Sequence, residues 1–98
     1  MTEQMKVYAN VRLRPEHAKG LAKILHLAGL DKVPFRKIYR SPNVRVDYNI
    51  FQYIGEKMIE IYLSATNKES YELIRDNLKA QFEEIGIKLN LNEREQKW

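Results

Sequence analysis

Apolar and polar residues alternate from the fifth residue to the thirteenth. Met5, Val7, Ala9, Val11 and Leu13 fall on one face, and Lys6, Tyr8, Asn10 and Arg12 on the other. Period-two alternation marks a strand buried on one side only. Residues 44–51 and 58–65 have the same form, and a shorter run closes the series at 87–91. Between these runs the apolar period lengthens to that of a helix. Over residues 15–28 the stripe is Ala18, Leu21, Ile24, Leu25 and Ala28; over 68–85 it is Tyr71, Ile74, Leu78, Phe82 and Ile85. Pro15 and Glu16 suit a helix start, Thr66 with Glu69 has the form of a capping box, and Gly29 and Gly86 are stop signals. Gly20, inside the first helix, costs about 1 kcal/mol relative to alanine and is expected to permit close packing on the sheet.

The order strand, helix, strand, strand, helix, strand predicts an α+β domain of the ferredoxin-like βαββαβ type. Its expected sheet has four antiparallel strands in the order 4-1-3-2, with both helices on one face. The 98 residues suffice for one core. The expected domain covers residues 1–92, followed by a charged tail, 93–98, that frays unless Trp98 docks. Residues 54–57 form a turn in which Gly55 can take a positive φ. Residues 29–43 make a long connection. Val33, Phe35, Ile38 and Tyr39 are expected to anchor it against the first helix near Leu27, while Pro34 and Pro42 exclude a long helix or central strand.

Charge changes this picture more than composition does. The net charge is +4. Residues 1–49 carry ten basic and four acidic groups (+6), and residues 50–98 seven and nine (−2). Between residues 32 and 45 there are five basic residues and no acidic one. A surface for an anionic or acidic partner is therefore expected in the front half. No cysteine is present, which excludes disulfides and thiolate chemistry. The first residues lack an apolar signal core and no run reaches membrane-spanning length, so the cytoplasm is the expected location.

Catalytic and metal-binding patterns are thin. His17 and His26 lie nine residues apart on one expected helix, about 900° of rotation. They face opposite sides, His17 toward the packing stripe and His26 toward solvent. Glu83 and Glu84 diverge, Glu72 and Asp76 are countered by Arg75 and Lys79, and no glycine-rich phosphate loop exists. The expectation is a non-enzymatic protein with no cofactor and no metal site.

The remaining constellation is the sheet face away from the helices. With the first and third strands central, Tyr8 and Tyr62 stand in its middle. Lys6, Asn10 and Arg12 lie beside them, with Arg45, Phe51 and Tyr53 toward one edge. Lys32, Arg36, Lys37 and Arg40 of the long connection complete the candidate binding residues. Tyrosine, arginine, methionine and phenylalanine are enriched at interface cores, so protein contact is expected, with a partner or as a homodimer. The alternative is RNA or single-stranded DNA, with rings stacking bases and cations holding phosphates. In topology the arrangement resembles RNA-recognition modules, which carry aromatics on the same two strands. Residues 56–63 lack that family's Gly-Phe/Tyr core, and Glu60 and Asp47 would repel phosphate. These two acids are expected to form a charge ladder with Arg12 or Arg45. A third possibility is a small-molecule or enzyme subunit whose pocket is completed by oligomerisation.

Overall fold

A computed structural model describes residues 5–97. Strand β1 (Met5–Leu13) leads through a 3-10 turn (Pro15–Ala18) to helix α1 (Leu21–Leu27). Two short strands follow, β2 (Asp31–Lys32) and β3 (Ile38–Arg40). The long hairpin β4 (Val44–Tyr53) and β5 (Glu56–Ala65), helix α2 (Lys68–Glu84) and strand β6 (Asn92–Lys97) complete the chain. The sheet is antiparallel and has six strands, in the order β2-β3-β4-β5-β1-β6. This overturns the four-stranded ferredoxin-like sheet that the alternation predicts, although the mixed α+β character stands.

Two local causes produce the difference. First, the 29–43 connection does not cross over as a loop. It folds back as β2 and β3 and extends the sheet beyond β4, because Tyr39 pairs with Val46 and is buried beside Tyr48, ring centroids 6.1 Å apart. Second, residues 87–91 bury Leu89, with Ile87 and Leu91 packed on the core, but form no strand. The strand is the charged segment after them, so β6 occupies most of the expected tail. Trp98 lies outside the described residues.

The first expected helix is also divided. Gly20 has φ +77° and precedes α1, so the 3-10 turn and the helix cannot be continuous. A Cβ at this glycine would meet nothing within 4 Å. It is there for its backbone conformation and not for close packing. His17 consequently lies on an exposed turn instead of packing. At α2 the cap is Asn67, whose side chain accepts from the Ser70 backbone N–H at 2.8 Å. Thr66 is diverted to Asn43, donating to its Oδ1 at 3.2 Å. Both helices end in a Schellman pair of bonds: Leu30 to Leu25 and Gly29 to His26 after α1, Ile87 to Phe82 and Gly86 to Glu83 after α2.

The core lies between one sheet face and the two helices. Val7, Ala9, Leu13, Val44, Val46, Ile61, Leu63 and Ala65 meet Leu21, Ile24 and Leu25 of α1 and Tyr71, Ile74, Leu78 and Phe82 of α2. Ile85, assigned to the stripe by its spacing, is half-exposed past the helix end. Leu30 is sealed where the connection leaves α1, whereas Leu27 is exposed. Phe35, expected as an anchor, is fully exposed at φ +62°. No helix among the described residues is long and apolar enough to cross a membrane.

The β4–β5 hairpin runs past the helices, leaving Ile50 half-exposed on the side where Val44 and Val46 are covered. Its turn residues, Ile54 and Gly55, have φ +50° and +77°. Two successive positive φ values define a two-residue type I′ turn, for which Asn-Gly is the favoured pair. A β-branched residue in the left-handed region costs about 1–2 kcal/mol, and Ile54, 86% exposed, recovers no packing for it. Ile54→Asn is therefore expected to stabilise the chain by about 1 kcal/mol, a rise of about 4–8 °C in melting temperature. Circular-dichroism melts check this; an unchanged or lower midpoint would mean that Ile54 makes a contact that outweighs the strain.

Candidate functional site on the open sheet face

On the face away from the helices, register sets side chains in rows across the strands. One row crosses all six: Asp31, Arg40, Arg45, Ser64, Tyr8 and Arg94. The next holds Ile38, Asp47, Tyr62, Asn10 and Asn92. Toward the hairpin tip follow Asn49, Glu60 and Arg12, then Phe51 with Met58, then Tyr53 with Glu56. A shallow concavity of ≈ 460 Å³ lies at the centre, among Tyr8, Asn10, Asp47, Tyr62, Ser64 and Arg94.

Glu60 organises the middle of this face. At 6% exposure it is the one buried charged residue among those described. A buried carboxylate requires partners, and it has two. The Tyr62 hydroxyl donates to Oε1, and Arg12 Nε donates to Oε2 at 2.8 Å. The Arg12 guanidinium, on a side chain 52% exposed, also lies 5.5 Å from the ring centroids of both Phe51 and Tyr53. That is cation–π distance. Arg12 is thus fixed by a carboxylate and two rings while its Nη groups stay accessible. Asp47 in turn accepts from Arg45 Nε at 2.9 Å. Glu60 and Asp47 do not pair with each other as two catalytic carboxylates would, since each is matched to its own arginine.

The same contacts shift ionisation. The hydrogen bonds from Tyr62 and then Arg12 hold the Glu60 carboxyl below the usual carboxylate range, outweighing its partial desolvation. The bond to Glu60 raises the Tyr62 phenol above its ordinary value. A carboxyl with a depressed folded-state pKa stabilises the fold above its unfolded pKa, about 4.3. That contribution disappears as pH falls through the folded-state value. The melting temperature of the unmodified chain is expected to drop more steeply below about pH 4 than that of Glu60→Gln. The two curves should converge toward pH 2, and added salt should narrow the gap at neutral pH because Arg12 is half-exposed. Parallel acid limbs in the two proteins would show that Glu60 contributes nothing through its charge.

Of the residues singled out from sequence, Tyr8, Arg12, Arg40, Arg45, Phe51, Tyr53 and Tyr62 share this face. Lys32 is paired with Tyr39 and therefore belongs to the opposite, helix-side face. Arg36 and Lys37 are exposed in the β2–β3 loop, where the Lys37 backbone carbonyl still accepts from the Tyr48 N–H of β4 at 3.1 Å. The basic 32–45 segment is therefore not one surface. Sequence patterning assigns Arg94 to a tail, whereas the expected charge ladder of Glu60 and Asp47 with Arg12 and Arg45 is present. Cross-strand register places Arg94 and Glu60 in the site.

No known protein family matches the chain, and no curated protein does. Among solved structures it is similar to a de novo designed protein, Foldit4, at 18% identity and a TM-score of 0.59, over 96% of this chain and 97% of that one. A tripeptidase from Staphylococcus aureus matches 97% of this chain at 9% identity, but over only 29% of its own length and with a TM-score of 0.37. The aminopeptidase PepT from Bacillus cereus does so at 11% identity, over 96% and 29% of the two chains, with a TM-score of 0.36. The designed protein shows a shared fold and nothing about function, and the two peptidase likenesses are too remote to carry any argument.

Proposed function

We propose that this is a non-enzymatic contact protein of the cytoplasm that pairs with a second copy of itself through the open sheet face, as an oligomeric subunit, adaptor or inhibitor. The observation that carries the reading is Arg12, paired to Glu60 and at cation–π distance from Phe51 and Tyr53 beside a half-exposed Tyr62. Burying a face requires that its polar groups be satisfied. Here the central charges are already matched within the chain, so covering them leaves no unpaired ion. Aromatic rings and a pre-ordered arginine are what interface hot spots contain. A second copy needs no other surface, since a two-fold contact uses the same patch twice. A cysteine-free composition suits the reducing cytoplasm. Sedimentation equilibrium should give twice the 11.7 kDa chain mass at micromolar concentration. A monomer throughout the accessible concentration range would remove the reading.

A second reading rests on a different observation, the row of Arg40, Arg45 and Arg94 interrupted by Ser64 and Tyr8. A ring set among cations is the pattern used on single-stranded RNA or DNA. Fluorescence anisotropy with a labelled oligonucleotide would then show affinity falling steeply with salt.

A further inference from the structure

We infer that the concavity between the 41–43 turn and β1 is a binding site for a small phosphate monoester. It has a volume of ≈ 260 Å³, and Lys6, Tyr8, Arg40, Arg45, Ser64 and Thr66 are among its walls. No acidic side chain lines it. Arg40 and Arg45 are direct register partners on β3 and β4, so two guanidinium groups stand opposite each other on one face. Like charges in that position destabilise a sheet, and nothing in the packing demands them, because both side chains are exposed. Asp31 flanks Arg40 on its outer side but forms no ion pair with it. Asp47 takes only the Nε of Arg45, leaving its Nη groups available. Lys6 of β1 is also in the wall, and Ser64 lies between Arg45 and Tyr8 in the same row.

The donors select the ligand class. Among the described residues Arg40 forms no ion pair, and Arg45 keeps its Nη groups beside the Nε bond to Asp47, so two arginine forks face the site. A carboxylate offers them two oxygens, whereas a phosphate monoester offers three, with between about one and a half and two negative charges at neutral pH. The volume is below that of a site for a drug-sized molecule, and it suits a phosphoryl group with part of its ester lying against the Tyr8 ring. The proposal does not depend on self-association. Tyr53 lies eight residues along β4 from Arg45, about 25 Å away at strand rise.

Isothermal titration calorimetry with AMP, adenosine, inorganic phosphate and an oligonucleotide lacking a terminal phosphate tests it. AMP should bind and adenosine should not. Arg40→Gln and Arg45→Gln should each weaken AMP at least about tenfold without lowering the melting temperature, since both side chains are exposed. Inorganic phosphate binding as tightly as AMP would still support the site and assign recognition to the phosphoryl group alone. The double variant Phe51→Ala/Tyr53→Ala should bind AMP normally even if it no longer dimerises. The proposal is overturned if AMP gives no saturable heat, if Arg40→Gln binds it unchanged, or if adenosine or the unphosphorylated oligonucleotide binds as well as AMP.

Discussion

A chain ending at Leu91 is expected to melt about 10–25 °C below the full protein and to aggregate on refolding. Residues 92–97 pair with β1 along six register positions, from Asn10↔Asn92 to Met5↔Lys97. A ladder of that length contributes about one backbone hydrogen bond per position, each worth about 0.5–1.5 kcal/mol net. Allowing for the ordering of the strand, the loss is about 2–4 kcal/mol, a large part of the stability of a domain this size. Two ion pairs tie the same strand to α2, Arg75 with Glu93 and Lys68 with Glu95, each at 3.3 Å. Exposed pairs of this kind add at most about 1 kcal/mol each, so the ladder dominates. Truncation also uncovers the full edge of β1, whose backbone groups then lack partners. Glu93→Gln/Glu95→Gln separates the two contributions, because it removes the ion pairs and keeps the ladder. Its melting temperature should fall by only a few degrees. A truncated chain melting within about 2 °C of the full one would mean that residues 92–97 are a dispensable tail.

The contrast between β6 and the other long strands explains what can be read from the residues. β1, β4 and β5 announce themselves because their helix-side positions are buried and apolar. The α2 stripe does so for the same reason. Asn-Glu-Arg-Glu-Gln-Lys has no apolar position at all. On this edge strand, Glu93 and Glu95 face the helix side and are bonded to α2 from the rim of the core, so the usual period-two signal is absent. β2 and β3 are too short, at two and three residues, to show a period. The cap of α2 was ambiguous because Thr66 and Asn67 are adjacent and both competent; Asn43, distant in sequence, decides between them. Glu60 looked like a solvent-facing charge between Ile59 and Ile61. Its burial comes from Arg12, 48 residues away, and from Tyr62 folded over it. The arginine row is likewise a product of register across six strands and has no counterpart in spacing along the chain.

Phe51→Ala/Tyr53→Ala is expected to weaken self-association by about 100-fold or more, which corresponds to about 2.7 kcal/mol. The Arg12 guanidinium carbon lies 5.5 Å from the centroid of each ring, at cation–π distance. Without the rings Arg12 keeps its bond to Glu60 but loses these contacts. Hot-spot residues typically cost about 2 kcal/mol or more when truncated, and here two are removed together. Because they are neighbours in one cluster, their effects will not add simply. Stability should change little, since both rings lie on the part of the hairpin that runs past the helices and Tyr53 is half-exposed. Arg12→Ala is the poorer test: it also leaves the buried Glu60 carboxylate without its cation, so misfolding and lost contact would be confounded. Sedimentation equilibrium on the double variant beside the unmodified chain gives the answer, with circular dichroism confirming the fold. A folded double variant that associates as tightly as the parent would move the contact surface away from the open face.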